Sequence, residues 1–449
     1  MTVPVRRHGT CGRALKPALL LCRAVLGVAL ALPLPTASAA DAPWELAGQF
    51  ADGALWRARV PRQWNGVLLL YSHGYSPRVQ PPQLAPPGLE SWLLDHGYAL
   101  AASSYATGGW AVAEAVPDQR LTVATFTARV ARPYLSIGWG DSMGGLVTAA
   151  LAEDPHPVIQ GAVSACGSLG GSLTMMNLAL DGAFAFVTLQ APDAGIRVVD
   201  VDDDRVNGSR VAEALRDAMQ TPAGRARVAL AAVLAGLPVW TQTGTAAPAV
   251  RDYPAQLTQM AATFAASVFP PRTDQERRAQ GVNSWNVGVD YRGLLEATGR
   301  REWVAHFYRL AHLSLERDLE RLRDAPRISA RPEAVRYMRA HYEPQGRPAV
   351  PLLSLHTVGD GITSAVLQAA YLQRVRGPDR ANYRASWVRG AGHCAFSPAE
   401  YVAALDTLKS RVQTGQWQAG AAQLNAAAAR TSLGPGRFMS YRLPAPGRR

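Results

Sequence analysis

Residues 136–145 read Ser-Ile-Gly-Trp-Gly-Asp-Ser-Met-Gly-Gly and set Ser142 between Gly140 and Gly144. A serine hydroxyl is a weak nucleophile at neutral pH. It attacks only when a base takes its proton, and that base is usually a histidine oriented by a carboxylate. Two further stretches supply these types in order. "LLSLHTVGDGITS" carries Asp360 and "VRGAGHCAF" carries His393. Taken singly, each signal is weak. Gly-x-Ser-x-Gly occurs as an ordinary turn, Asp-Gly is most often a turn, and a loop histidine is most often surface. Together, each just past an apolar run, they point to acyl transfer with Ser142 as nucleophile, Asp360 as orienting acid and His393 as base.

These side chains need a scaffold that ends strands beside one another. "GVLLLYSHGY" (66–75), "YALAASSY" (98–105), "PYLSIGW" (133–139) and "VIQGAVSACG" (158–167) are continuous apolar runs. Runs of that kind are strands buried on both faces of a parallel sheet. Helical spacing lies between them, so strand and helix alternate. In such sheets ligands sit beyond the carboxyl ends of the strands. A tight turn from strand into helix at Ser142 requires small flanks, because a Cβ at either glycine collides with a neighbouring element. A hairpin is expected around Asp52-Gly53. From 171 to 346 alanine, leucine and arginine dominate and buried-strand runs are few, so this stretch reads as a helical insertion. "PAVPLLSLHTVGD" (348–360) and "ANYRASWVRG" (381–390) restore the strand pattern. The expected organisation is a core of 40–170 with 347–413, a helical cap of 171–346, and a C-terminal helix with a frayed tail over 414–449.

The stretches "GVLLLYSHGY", "GWGDSMGG", "LHTVGDGITS" and "GAGHCAF" resemble the α/β-hydrolase fold family. The resemblance covers about 41–170 and 348–413. It implies a mostly parallel, doubly covered α/β sheet with a cap, and hydrolysis through Ser142, Asp360 and His393. It also implies an oxyanion hole made by the N–H of Met143 with that of Tyr75 or Gly74. Serine at the nucleophile position is unlike dehalogenases and epoxide hydrolases. Cys394 beside His393 is similar to the secreted tannase and feruloyl-esterase group, in which cysteines next to the serine and the histidine are bridged. That pattern is broken here, since Asp141 precedes Ser142. A looser likeness is to secreted bacterial esterases and amidases of the phthalyl amidase type.

The chain's outer limits agree with an exported enzyme. Of 449 residues, 48% are hydrophobic and 18% charged, a globular rather than disordered balance. Arg6, Arg7, Arg13, Lys16 and Arg23 precede the apolar run "AVLGVALALPL", and "TASA" follows it. This is a signal peptide over 1–39 with cleavage near Ala39; the alternative is a retained anchor helix. No later stretch has eighteen unbroken apolar residues, so the expectation is a protein without a transmembrane segment once the signal is removed, secreted or periplasmic. The formal charge of +12 carries no basic block or nucleic-acid motif and reads as a solvated surface.

Of the four cysteines, Cys11 and Cys22 fall in the signal. Cys166 and Cys394 remain, in an oxidising compartment. Each sits at a strand end near the triad, and a disulfide between them is expected; two buried thiols are the alternative. No spacing suggests a metal site, and no cofactor is expected. Asp200, Asp202, Asp203 and Asp204 could hold calcium, but they lack a calcium loop's glycine and glutamate and read as a solvated acidic loop. Asn207 heads an Asn-Gly-Ser triplet, a glycosylation acceptor in form. Trp110, Trp240, Trp285, Trp303 and Phe307 read mostly as core. The expected substrate is a small ester or amide. Two rivals stand beside it. One is an aminopeptidase-type exopeptidase using Glu316, Glu320 or the acidic cluster to hold a free amine. The other is a non-catalytic binding protein on the same scaffold.

Overall fold

The computed structural model describes residues 43–443. The signal-peptide expectation, with Cys11 and Cys22, lies outside the described residues. Among the described residues, nine strands form one sheet in the order β1-β2-β4-β3-β5-β6-β7-β8-β9. They are β1 (Trp44–Gln49), β2 (Leu55–Val60), β3 (Val67–Ser72), β4 (Ala99–Ser103), β5 (Leu135–Asp141), β6 (Gly161–Ala165), β7 (Leu352–Gly359), β8 (Tyr383–Ala391) and β9 (Phe438–Met439). Pairing from β4 through β3 to β8 is parallel; β1, β2 and β9 run antiparallel to their neighbours.

The apolar runs form strands because both faces are covered. Leu68 and Leu70 face one layer, with α2 (Val112–Arg129) and α3 (Met143–Glu153). Val67, Leu69 and Tyr71 face the other, with α1 (Glu90–Asp95) and α14 (Pro398–Thr414). Leu68, Leu69 and Leu70 are all fully buried. Each contributes roughly 1.5–3 kcal/mol of apolar burial, so alternation would cost the sheet one of its layers.

Helices α4 (Gly171–Gln190) to α12 (Pro332–Tyr342) fall between β6 and β7 and include α6 (Pro222–Leu234), α7 (Tyr253–Val268) and α8 (Thr273–Arg278). They have a core of their own, centred on α4 and α6. The two cross closely at Gly182, where a Cβ would stand 2.7 Å from that of Ala235. α4 is long and apolar enough to cross a membrane, with mean hydropathy 1.4, but 72% of that stretch is buried within the fold. It is the central helix of the insertion.

The C-terminal stretch departs from the expected frayed tail. α15 (Ala421–Ala429) forms, and the chain then returns as β9 along the edge of β8. The cause is polar as well as apolar. Phe438 is buried, and Arg437 binds the fully buried Glu400 through Nε at 2.9 Å and Nη2 at 2.8 Å. The acidic loop behaves as a structural segment. Asp200 and Asp202 pair with Arg197, Asp203 caps α5 (Asp204–Gln220), and Asp204 accepts the N–H of Arg272.

Candidate active site

The turn at Ser142 is enforced by crowding on both sides. A Cβ at Gly140 would meet the Ser72 carbonyl at 2.5 Å, and one at Gly144 would meet the His73 carbonyl at 2.6 Å. The chain therefore passes from β5 to α3 only with glycine at both positions. Ser142 itself is held at φ 57°, ψ −120°, outside the regions an ordinary side chain favours. Its N–H bonds the Ala165 carbonyl at the end of β6, which anchors the turn.

Asp360 and His393 reach the serine from the ends of β7 and β8. His393 Nε2 lies 2.9 Å from Ser142 Oγ, and its Nδ1 lies 2.9 Å from Asp360 Oδ2. The structure brings these three sequence-predicted residues together on neighbouring loops. Asp360 is fully buried, and its carboxylate accepts the N–H groups of Ile362 and Thr363 and the Thr363 hydroxyl. Burial pushes this carboxyl up, but the facing His393 and these donors outweigh burial and hold it below its ordinary value. Burial likewise pushes His393 down. The charge and hydrogen bond of Asp360 reverse that, Asp141 adds to them, and the imidazole sits above its ordinary value. This electrostatic arrangement favours the protonated form of the imidazole.

Met143 is the first residue of α3, and the first N–H groups of a helix have no partner within it. The β3 end brings Gly74 against Ser142: a Cβ there would lie 3.3 Å from Ser142 Cβ and 3.9 Å from Oγ. Tyr75 follows, with its side chain 38% exposed. The loop is braced from behind. His73 Nδ1–H donates to the Gly74 carbonyl at 2.7 Å, Tyr105 stacks on the His73 ring at 4.1 Å, and the Tyr105 hydroxyl donates to the His73 carbonyl. Burial lowers the His73 pKa, opposed by the carbonyls of Gly74 and Ser104 that face its two ring nitrogens.

Cys166 and Cys394 form a disulfide with Cα atoms 5.2 Å apart. It joins the end of β6 to the residue after His393, and Cys394 Sγ lies 3.5 Å from His393 Nε2. Both cysteines adopt positive φ, 46° and 52°. A metal at these three side chains is excluded by the bridge, because each sulfur is already bonded.

Two features escaped the sequence. Asp141 does not face solvent: Tyr71 and Tyr401 both donate their hydroxyls to its Oδ2 at 3.0 Å. Burial raises its pKa to about 6, against the lowering by both tyrosines. Thr363 is the second: its hydroxyl spans Asp360 and the Cys166 carbonyl, linking the acid loop to the bridge. Tyr71 and Tyr401 lie 70 and 260 residues from Asp141, and no local pattern marks such a contact. Of the five aromatic residues singled out, Trp110, Trp303 and Phe307 are buried. Trp285 is half-buried and lines a cavity.

A parallel sheet with this strand order, a serine on the turn after β5, and an acid and histidine after β7 and β8 give the chain the α/β-hydrolase fold. Among known proteins it is similar to the o-phthalyl amidase of Xanthobacter agilis, at 28% identity over 438 residues, covering 88% of this chain and 93% of that one. Similar solved structures include an esterase and feruloyl esterase B, both from Aspergillus oryzae. They are 11% and 12% identical, each covering 84% of this chain and 80% of theirs, with TM-scores of 0.42 and 0.39. No family model matches the chain.

Proposed function

We propose that the protein is a serine hydrolase that cleaves a carboxylic ester or amide of a small molecule through an acyl-enzyme on Ser142. The observation that carries this reading is the unbroken relay from Ser142 Oγ through His393 to Asp360, with both contacts at 2.9 Å. His393 Nε2 takes the serine proton as Oγ bonds to the substrate carbonyl carbon. The oxyanion is met by the N–H of Met143 and that of Gly74 or Tyr75, a contribution of a few kcal/mol. The tetrahedral species collapses, and His393 returns the proton to the leaving nitrogen or oxygen. Water then bonds to the acyl carbon as its proton passes to His393, and the acid is released as His393 returns that proton to Ser142 Oγ. The likeness to an amidase supports amides within the substrate class. Export with cleavage near Ala39 belongs to the same proposal and is checked by sequencing the N-terminus of the protein recovered from outside the cytoplasm.

An exopeptidase needs an unengaged acid to hold the substrate's amine. Glu316 is bound by Arg292 and Arg301 and the Asp200–Asp204 cluster is engaged as described, which leaves Glu320, exposed on the insertion, as the acid such a peptidase would use. The non-catalytic rival is opposed by an intact relay. Matched p-nitrophenyl esters, anilides and aminoacyl anilides separate the readings. Turnover of the first two with no preference for a free α-amine is expected; a strict requirement for that amine overturns the proposal in favour of a peptidase. Absence of Ser142 labelling by a fluorophosphonate would overturn it altogether.

A further inference from the structure

A cavity of about 640 Å³ lies between the insertion and the core. Neither Ser142, Asp360 nor His393 lines it. Its walls come from α4, α6, α13 (Ala365–Arg374), the end of β7 and the C-terminal stretch. The volume falls within the range of small-molecule sites.

The lining is of two kinds. Leu178, Val233, Leu234 and Val366 give it an apolar body. Its charged residues are Arg300, Arg339, Arg374, Arg376 and Glu343. The single acid is already used. Glu343 binds Arg374 at 3.3 Å and accepts the N–H of Leu173 at 2.6 Å. Among the described residues, three of these guanidinium groups are therefore left without an acid at this cavity. Arg300 is the informative one, because it is half-buried where the others are exposed. Its Nη1 donates to the Leu237 carbonyl at 2.6 Å, and among the described residues no carboxylate pairs with it. Burial lowers its pKa, opposed only by Tyr441. A half-buried guanidinium with spare donors beside an apolar wall is costly unless an anion completes it.

We infer that this cavity is a second binding site, for a carboxylic acid with an apolar body, whose carboxylate pairs with Arg300 while its hydrocarbon lies on α4 and α6. Arg339 and Arg376 at the rim attract the anion and do not define it. Phosphate and other compact anions leave the apolar walls uncovered, and neutral lipids leave Arg300 unpaired. Val358 and Ala365 line the cavity on either side of the segment 360–364. An occupant therefore touches both ends of the loop that carries Asp360. On the function proposed above the reaction releases a carboxylate, so the ligand class is one the enzyme itself makes; the binding site does not depend on that reading.

The test is calorimetric titration of the whole protein with decanoate, decanol and inorganic phosphate. Ser142→Ala and fluorophosphonate-labelled wild type are used in parallel. Decanoate is expected to saturate one site in both forms, and decanol and phosphate to bind at least about tenfold more weakly. Arg300→Met, which keeps the stem's packing, is expected to weaken decanoate about tenfold or more and leave decanol unchanged. Leu178→Trp, which fills the cavity from α4, is expected to abolish decanoate binding and covers the case in which Arg300→Met does not fold. Decanoate binding lost on phosphonate labelling would place the ligand in the catalytic cleft and overturn the inference. Equal binding of decanol, or full decanoate affinity in either variant, overturns it as well. Failure of the catalytic reading alone shows as an unlabelled Ser142 with decanoate binding intact.

Discussion

Removing the Cys166–Cys394 bridge, by Cys166→Ala with Cys394→Ala, separates what the bridge does for the fold from what it does for the site. The two residues are 228 apart in sequence. Closing a loop of that length in the unfolded chain corresponds to about 5 kcal/mol on the chain-entropy model, and measured values run from about 2 to 5. The end of β6 should survive the change, because the Cys166 N–H bonds the Leu355 carbonyl and its carbonyl accepts the Thr363 hydroxyl. The other end is held less well. The 391–396 loop keeps bonds mostly at its two ends: the Gly392 N–H to the Gly359 carbonyl, the Thr357 hydroxyl to the Gly392 carbonyl and the Thr243 hydroxyl to the Ala391 carbonyl on one side, and the Arg437 guanidinium to the Ala395 carbonyl with the Phe396 turn on the other. Cys394 also sits at φ 52°, a conformation costing of order 1–3 kcal/mol that the loop can relieve once released. His393 therefore gains freedom at the 2.9 Å contact to Ser142. A displacement of about 1 Å at a reacting group lowers rate by about 100-fold, so a fall in kcat of about 10- to 100-fold with little change in KM is expected. The assay combines initial rates, fluorophosphonate labelling kinetics and circular dichroism during reduction with a phosphine. Activity should fall while the far-ultraviolet signal persists. Wild-type kcat and labelling rate in the folded double variant would refute the positioning argument, and unreduced mass spectrometry showing two alkylated cysteines would refute the bridge.

Other outcomes follow from the same geometry. Ser142→Ala should lower turnover by several orders of magnitude without unfolding the chain, since alanine lacks only the hydroxyl; residual activity within about tenfold of wild type rejects Ser142 as nucleophile. His393 must be neutral to act as base, and Asp360 and Asp141 raise its pKa above 6.5, so activity should climb with pH along a limb centred above that value, and a limb below it contradicts the electrostatics. By linkage the protonated His393 adds stability below pH 6.5 that is lost as pH rises through its folded-state pKa. Asp141→Asn removes one of the two charges that raise His393 and should move the same limb to lower pH with the triad distances intact; an unmoved limb shows that Asp141 acts only as a strut for Tyr71 and Tyr401. Arg437→Met leaves the buried Glu400 without its cation, at a cost of about 2–3 kcal/mol. That is less than for a fully buried pair, because Arg437 is 40% exposed and Glu400 keeps the Ser397 N–H. Urea denaturation measures it, and a loss below about 0.5 kcal/mol would show that β9 is held by Phe438 alone.

What the sequence disclosed and what it concealed divide along one physical line. Val67–Ser72 and Leu352–Gly359 were legible because burial on both faces of a parallel sheet demands an unbroken apolar run, and such a run is local. Ser142 was legible because its turn imposes glycine two residues away on either side, again a local demand; the contacts at Gly140 and Gly144 show the collisions that impose it. Asp360 and His393 inherit their places from the strands they follow, so chain order sufficed. Polar contacts across elements leave no such trace. Asp141 reads as the variable residue of a motif, yet it is fixed by hydroxyls from β3 and α14. Tyr71 reads as one more apolar position in a strand. Arg437 reads as part of a Pro/Gly/Arg-rich tail, and the buried carboxylate of Glu400, 37 residues away, together with the burial of Phe438 turns that tail into an edge strand. Arg300 is one arginine among many in an arginine-rich insertion, and its lack of an acid partner is visible only once the neighbouring helices are in place. The Ser142–His393–Asp360 relay was therefore readable because each of its members punctuates a strand. The groups that tune it, brace it and line the second cavity were not, because their significance lies in partners that the chain supplies from far away.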